Sequence, residues 1–183
     1  ACCHNPSGMD LNFAQWQRFA ALAKEKGFTP LVDMAYQGFG LGLDEDTQGL
    51  RYLADQVEEM ILCSSCSKNF GLYRERAGSL SLVFADEQQA NAGNSQLLSV
   101  TRALYSMPPA HGAALIDIIL HSDELTKVWS DELTLMRERI AGLRVQLVQS
   151  LNGLQKERDF HFIANERGMF SFLGLSVEQV HKL

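Results

Sequence analysis

The sequence lacks any apolar run long enough to span a membrane, and it is short of positive charge. Its longest apolar stretch, residues 113–120, contains Asp117, whereas a membrane-spanning helix needs about 18 or more consecutive apolar residues. Lys and Arg number 16 against 22 Asp and Glu, so the formal net charge of the 183 residues is −6. This balance disfavours nucleic acid and anionic membrane surfaces as ligands. We therefore expect neither as a partner.

Cysteine is also scarce, and its placement differs from that of a secreted disulfide-rich protein. The four Cys form two close pairs, residues 2 and 3 and residues 63 and 66, and no pattern of a signal peptide is found. We therefore expect a reducing, cytoplasmic setting. A rival interpretation joins Cys63 and Cys66 to Cys2, Cys3 and His4 in a thiolate metal site. Because Cys63 lies in an apolar run, where a free thiol packs as a small hydrophobic group, we expect no metal site.

The composition excludes extensive disorder. Apolar residues make up 46% of the chain and charged residues 21%, which is ordinary for a folded protein. The chain opens with Ala1 a few residues before a turn at 5–8, and it closes at Leu183 inside a helical pattern. We therefore expect it to be an internal piece of a longer protein.

The first half of the chain alternates helical and strand patterns. Asp10 or Asn12 can cap a helix that ends at Gly27, and the apolar run 31–35 is typical of a strand buried on both faces, with Asp33 inside it. A second helix follows a glycine-rich loop, then a strand at 60–63 and a third at 79–85. Helices that alternate with buried strands predict crossover connections, hence an α/β fold with a mainly parallel sheet flanked by helices.

The second half is predicted to be mostly helical. A helical pattern extends through Tyr105, breaks at two prolines, and resumes at 110–121. Ser122 and Asp123 offer caps for a long helix whose apolar residues repeat every three or four positions up to Leu154, a length that suits a connector between domains. Residues 160–163 and 169–172 predict a strand pair. A capping box at 176–179 predicts one more helix.

The segment 65–78 carries the strongest chemical signal. Lys68 lies just beyond a predicted strand, Ser65 and Ser67 precede it, and Arg76 follows it by eight residues. Such a lysine supplies an amine that can form an imine, and the arginine supplies a bidentate cation for a phosphate. This pairing suits pyridoxal 5′-phosphate. A pair of solvated surface cations is the commoner role of these residue types taken singly.

This segment resembles the lysine signature of the class I aminotransferases, a fold-type I family of pyridoxal-phosphate enzymes, and most closely its aspartate and aromatic aminotransferase subgroup. Residues 4–8 resemble the subgroup's His-Asn-Pro-Thr-Gly turn, and residues 33–39 resemble its Asp-x-Ala-Tyr-Gln-Gly-Phe strand end. Residues 105–112 and 168–172 match two further segments. The resemblance covers essentially the whole chain, in the family's order.

The resemblance implies a role for each residue around the cofactor ring. Lys68 would form the imine with pyridoxal 5′-phosphate and later act as the general base. Asp33 would pair with the pyridine nitrogen, and a protonated ring nitrogen would offset the cost of burying that carboxylate. Asn5 and Tyr36 would hydrogen-bond the phenolic oxygen.

The remaining site residues are also assigned by resemblance. Ser65, Ser67 and Arg76 would hold the phosphate. Arg102 would bind the side-chain carboxylate of a dicarboxylic substrate across a dimer interface. Tyr73 would lie near that interface.

The resemblance therefore implies a transferase of amino acid metabolism that moves an amino group between an L-amino acid, aspartate or an aromatic one, and 2-oxoglutarate. It also implies a homodimer and a three-layer large domain, of which residues 1–135 would be the cofactor-binding portion. Residues 136–183 would form the rest of the connecting helix and part of a small α+β domain. Two alternatives stay open: a catalytically incomplete fragment, and another pyridoxal-phosphate reaction such as a β-lyase.

Overall fold

The structure, a computed structural model, describes residues 2–154 and 158–182. Within these ranges the chain is mostly helical and contains a small mixed sheet, which confirms the predicted α/β class. The strands are β1 (Leu31–Met34), β2 (Met60–Ser65) and β3 (Gly78–Val83). The helices are α1 (Phe13–Lys26), α2 (Gln48–Gln56), α3 (Glu87–Leu104), α4 (His111–Leu120), α5 (Asp123–Leu154), α6 (Phe162–Asn165) and α7 (Val177–Val180).

Helix α1 begins and ends where the sequence predicts. The Asn12 side chain accepts a hydrogen bond from the Gln15 backbone N–H at 2.9 Å, and the Gln15 side chain accepts one from the Asn12 N–H at 2.8 Å. Gly27 ends the helix in the left-handed region, with φ of 65°, a conformation that costs glycine little. The buried face of α1 includes Trp16 and Ala20.

The sheet has the strand order β1-β2-β3. β1 pairs with β2 in parallel, with Asp33 opposite Cys63, and β2 pairs with β3 antiparallel. Only one face of β1 is covered: Val32 and Met34 are buried in a core shared with α1 and α2, whereas Leu31 and Asp33 are exposed. The prediction that β1 is buried on both faces is therefore wrong, because alternate residues of a strand point to opposite faces.

Helix α5 contributes to both hydrophobic cores that the described residues form. Leu133 belongs to the core of the sheet and of α1 and α2, while Val148 packs with Phe160 and Ile163 in a smaller cluster. The helix starts at Asp123, as predicted, and none of the described helices has the length and hydropathy needed to cross a membrane. The predicted domain boundary at residue 135 falls inside this continuous helix and stays a prediction.

The predicted strand pair near the carboxyl end is wrong. Residues 162–165 form α6, and residues 169–172 form no strand. The reason is the buried guanidinium of Arg144, which donates to the carbonyl oxygens of Ile163, Arg167, Gly168 and Phe170. These backbone acceptors are therefore engaged by a side chain from α5. The capping box of Ser176 and Gln179 that begins α7 is confirmed.

Candidate functional site

The parallel pairing of β1 with β2 brings the segments that follow these two strands together. Tyr36 follows β1 by two residues and is buried, and Lys68 follows β2 by three and is half-buried. The Lys68 Nζ atom lies 4.7 Å from the centroid of the Tyr36 ring. Parallel strands place their carboxyl ends at the same sheet edge, a common position for ligand sites in α/β folds. The predicted lysine and tyrosine are thus in contact.

The turn near the amino terminus joins this pair. Asn5 Nδ2 donates to the Tyr36 hydroxyl oxygen over 3.4 Å, and Asn5 itself is exposed. Tyr36 also contacts Phe170, whose ring packs edge-on against the tyrosine ring with centroids 5.4 Å apart. The hydroxyl, the amide and the amine therefore meet around one aromatic ring, although Asn5 and Lys68 are 63 positions apart in sequence.

The two predicted serines lie directly before the lysine. Ser65 is the last residue of β2, and its Oγ accepts a hydrogen bond from the Ser67 N–H at 3.1 Å. Ser67 is buried, with 6% of its surface exposed. Between them, burial raises the pKa of the Cys66 thiol, so this group is neutral at physiological pH and is a poor nucleophile.

Arg76 lies just before β3, close in space to the end of β2. The Ala77 carbonyl accepts from the Cys66 N–H at 3.1 Å, which holds this segment beside the serines. The Arg76 backbone is left-handed, with φ of 53°, and its Nη1 donates to the Tyr73 carbonyl at 2.8 Å. The guanidinium is exposed, and it is fixed by this local bond rather than by either serine hydroxyl.

The environment of Asp33 differs from the predicted one. It lies on β1 beside Cys63 of β2, so it belongs to the same sheet as Ser65, but its side chain is exposed. The expectation of a buried carboxylate is therefore wrong for this structure. Side chains alternate between the two faces of a strand, and residues 31 and 33 point to the face of β1 that is not covered.

Arg102 and Tyr73 lie on the surface of the chain. Arg102 is exposed in the last turn of α3, a helix with no buried residue. Tyr73 is 55% exposed. It lines, with Lys68, a cavity of about 470 Å³ that reaches α5.

Three residues beside the lysine were not singled out from the sequence. The Asn69 Nδ2 donates to the Gln37 carbonyl at 3.4 Å, and the Asn69 carbonyl accepts from Trp129 Nε1 at 2.7 Å. Phe70 stacks on the Trp129 ring with centroids 4.3 Å apart. These contacts fix the segment after Lys68 against α5. Asn69 and Phe70 lie in the matched segment 65–78, whereas Trp129 lies outside every segment that the sequence analysis matched to the family.

The donor set fits pyridoxal 5′-phosphate. A primary amine contacts a phenol and lies near a carboxamide, which suits an aldehyde with a neighbouring phenolic oxygen. Two hydroxyls precede the amine, and an arginine follows on an adjoining loop, which suits a phosphate dianion. The carboxylate on the adjacent strand suits a protonated pyridine nitrogen.

Comparison with known proteins finds relatives that match the chain along its whole length. A family model described as aminotransferase class I and II matches residues 1–183. The chain is 50% identical over 182 residues to an aspartate aminotransferase of Escherichia coli, and 44% identical over 183 residues to an aromatic-amino-acid aminotransferase of Pseudomonas aeruginosa. Both matches cover 100% of the chain and 46% of the relative, so the chain spans about half the length of the curated relatives it matches.

Solved structures show the same likeness. An aromatic-amino-acid aminotransferase of Burkholderia pseudomallei, covalently bound to pyridoxal phosphate, superposes with a TM-score of 0.94 at 44% identity. The match covers 98% of this chain and 45% of that one. A mitochondrial aspartate aminotransferase of Trypanosoma brucei superposes with a TM-score of 0.93 at 39% identity, over 98% of this chain and 48% of that one.

Proposed function

The chain belongs to the aminotransferase class I and II family, and we propose that the whole protein transfers an amino group between an L-amino acid and 2-oxoglutarate with pyridoxal 5′-phosphate as its cofactor. The donor would be aspartate or an aromatic amino acid, because relatives of both names match the whole chain. The observation that carries the proposal is the contact of Lys68 Nζ with the Tyr36 ring, whose hydroxyl accepts from Asn5.

Lys68 is proposed to hold the cofactor and to move the proton. When bound, pyridoxal phosphate supplies a conjugated electron sink for the bonds at the substrate α-carbon. The Lys68 amine would take the proton from that carbon as a general base and would then return it to a carbon atom of the cofactor. Its half-buried place against Tyr36 limits the water around Nζ and restricts the directions in which the flexible side chain can point.

Asp33, Asn5 and Tyr36 are proposed to orient the ring. The Asp33 carboxylate would hold a proton on the pyridine nitrogen, and a ring bound over it would remove water from a carboxylate that is now exposed, which strengthens the charge pairing. The Asn5 amide and the Tyr36 hydroxyl already share a hydrogen bond. Both groups would turn their donors to the phenolic oxygen of the ring.

Ser65, Ser67 and Arg76 are proposed to bind the phosphate. The Ser67 N–H already donates to the Ser65 Oγ. The two serines therefore lie side by side at the end of β2. Guanidinium carries five N–H donors in a planar fork. The bond of Arg76 Nη1 to the Tyr73 carbonyl fixes one end of that fork and anchors it on the loop.

The roles proposed for Arg102 and Tyr73 rest on the family resemblance. Arg102 would bind a substrate carboxylate and Tyr73 would lie at the interface of a homodimer. Both residues are exposed, which a role at an interface between subunits requires.

An amino-transfer assay tests the proposal. The purified protein, supplied with pyridoxal phosphate and ¹⁵N-labelled aspartate or phenylalanine, should transfer the label to 2-oxoglutarate. Lys68→Ala should lower the rate by at least the 10²–10⁴-fold typical of a lost general base. Lys127→Ala, whose exposed amine pairs with Asp131 at 2.7 Å, is the control and should leave the rate unchanged.

The outcomes separate the rival reactions. Keto-acid production that does not depend on 2-oxoglutarate indicates a lyase and contradicts the proposal. Full activity of Lys68→Ala contradicts the assignment of the base. Activity lost equally in Lys127→Ala would also contradict it, because the loss would then follow any removed lysine.

A further inference from the structure

Two adjacent thiols of the main hydrophobic core and a carboxylate distant in sequence lie close together. One ligand atom each from Cys2, Cys3 and Asp46 lies within 4.8 Å of the other two. In a tetrahedral zinc site with Zn–S bonds of about 2.3 Å, ligand atoms are roughly 3.8 Å apart. The three side chains therefore need to approach one another by no more than about an ångström, which rotamer adjustments supply.

The carboxylate of this cluster is held in place by the backbone. Asp46 accepts hydrogen bonds from the N–H groups of Gly38, Gly40 and Leu41 at 2.8, 3.0 and 2.7 Å. This bonding fixes both of its oxygens and leaves further lone pairs for a cation, since a carboxylate has about four acceptor positions. A ligand fixed by outer hydrogen bonds in this way binds a metal with little reorganisation.

The thiols are fixed as well. Cys3 is fully buried and has a left-handed backbone, with φ of 51°. Cys3 packs closely against Gly168: a Cβ added at position 168 would lie 2.4 Å from the Cys3 Cβ. Cys2 is 6% exposed and lines a cavity of about 200 Å³ together with Asp10, Asp46 and Arg167. The cavity supplies an entry path for an ion and room for a water molecule.

Charged side chains of both signs lie near the cluster: Asp10 and Arg167 line the adjoining cavity, and Arg144 interacts electrostatically with Cys3. The hydrogen bond with Cys2, burial, and the charges of Asp10 and Asp46 all raise the pKa of Cys3. Burial likewise raises the pKa of Asp10. A divalent ion bound between the three side chains would attract both thiolates and the Asp46 carboxylate, and it would favour the deprotonated form of each thiol. Binding would therefore release thiol protons.

We propose that Cys2, Cys3 and Asp46 bind one thiophilic divalent cation of the zinc class, with a fourth position open to water from the cavity. The two sulfur ligands select zinc or cadmium over magnesium or calcium. This site shares Cys2 and Cys3 with the metal site weighed from the sequence but excludes Cys63 and Cys66, because no group of three metal-ligating side chains within the described ranges includes either of those two residues. It is independent of the amino-transfer proposal.

Cadmium titration of the reduced chain tests the site. The thiolate-to-cadmium absorption band in the near ultraviolet should saturate at one ion per chain, and zinc should displace the cadmium. The double variant Cys2→Ser, Cys3→Ser should lose the band. The matched control Cys63→Ser, Cys66→Ser removes the other two thiols of the chain and should keep it. Asp46→Asn should weaken cadmium binding by roughly tenfold or more.

Proton release gives a second readout that needs no variant. Two thiols that become thiolates should release about two protons per bound ion in weakly buffered solution at pH 7. A band that follows Cys63 and Cys66, or a folded chain that shows neither band nor proton release, would overturn the proposal. If the double serine variant does not fold, Cys2→Ala replaces it, and a band of unchanged intensity in that variant would overturn the proposal too.

Discussion

Removal of the buried guanidinium of Arg144 should unfold the protein at a much lower denaturant concentration. Its side chain is 10% exposed and that of Glu166 is 6% exposed, with Nη1 and Oε2 3.5 Å apart. Nε and Nη2 donate to the Gly168 carbonyl at 3.2 and 2.6 Å, and further donors reach Phe170 and Ser171. Burial lowers the pKa of Arg144, and the Glu166 charge opposes that shift.

The magnitude follows from what the substitution leaves behind. Arg144→Ala leaves the Glu166 carboxylate buried without its cation, and breaking a buried pair in this way costs about 3–5 kcal/mol. For a urea dependence of about 2 kcal/mol per molar, the unfolding midpoint should fall by about 2 M. Arg144→Leu combined with Glu166→Leu removes both charges and should cost less than Arg144→Ala alone.

Urea unfolding followed by circular dichroism measures these changes. Arg51→Ala is the matched control, because Arg51 pairs with Asp44 at 2.9 Å while both side chains are largely exposed, and such pairs contribute little. The reasoning is refuted if Arg144→Ala costs less than about 1 kcal/mol, or if the double variant is the least stable of the set.

Four further substitutions are each tested by urea unfolding. Gly49→Ala should destabilise by about 1–3 kcal/mol, because its Cβ would lie 2.3 Å from the Trp16 ring; Gly142→Ala in α5, where a Cβ meets nothing within 4 Å, should stabilise by about 0.5–1 kcal/mol. Asn12→Ala should cost about 1 kcal/mol through the lost cap. Because burial raises the pKa of Asp10, the folded state binds its proton more tightly than the unfolded state, and stability is lost as pH rises through that pKa; the stability of Asp10→Asn should therefore gain relative to the parent as pH rises above the ordinary pKa of an aspartate. A gain in Gly49→Ala, a loss in Gly142→Ala, an unchanged midpoint in Asn12→Ala or a pH-independent difference for Asp10→Asn would each contradict the corresponding reasoning.

Local sequence signals predicted the parts of the fold that depend on neighbouring residues. The caps of α1, the start of α5 at Asp123 and the capping box before α7 are set by side chains within a few positions of the backbone groups they bind. The place of Lys68 beyond a strand followed from the same kind of pattern. Each of these features is encoded within one short segment, which is why it can be read without knowledge of the tertiary contacts.

The features that escaped prediction depend on contacts distant in sequence. The exposure of Asp33 depends on which face of β1 is covered, and an apolar run alone does not specify this. The backbone near residue 168 is shaped by Arg144, which is 24 positions away. The cluster of Cys2 and Cys3 includes Asp46, which nothing in a cysteine spacing pattern reveals.

The most direct measurement of the central claim is the position of a trapped cofactor. The chain is incubated with pyridoxal 5′-phosphate, reduced with borohydride, digested and mapped by mass spectrometry. The account predicts one major modified residue, Lys68, and a lower yield in Tyr36→Ala, since Tyr36 is the ring against which the amine lies. Modification spread over exposed lysines such as Lys24 and Lys127, with Lys68 unmodified, would contradict it.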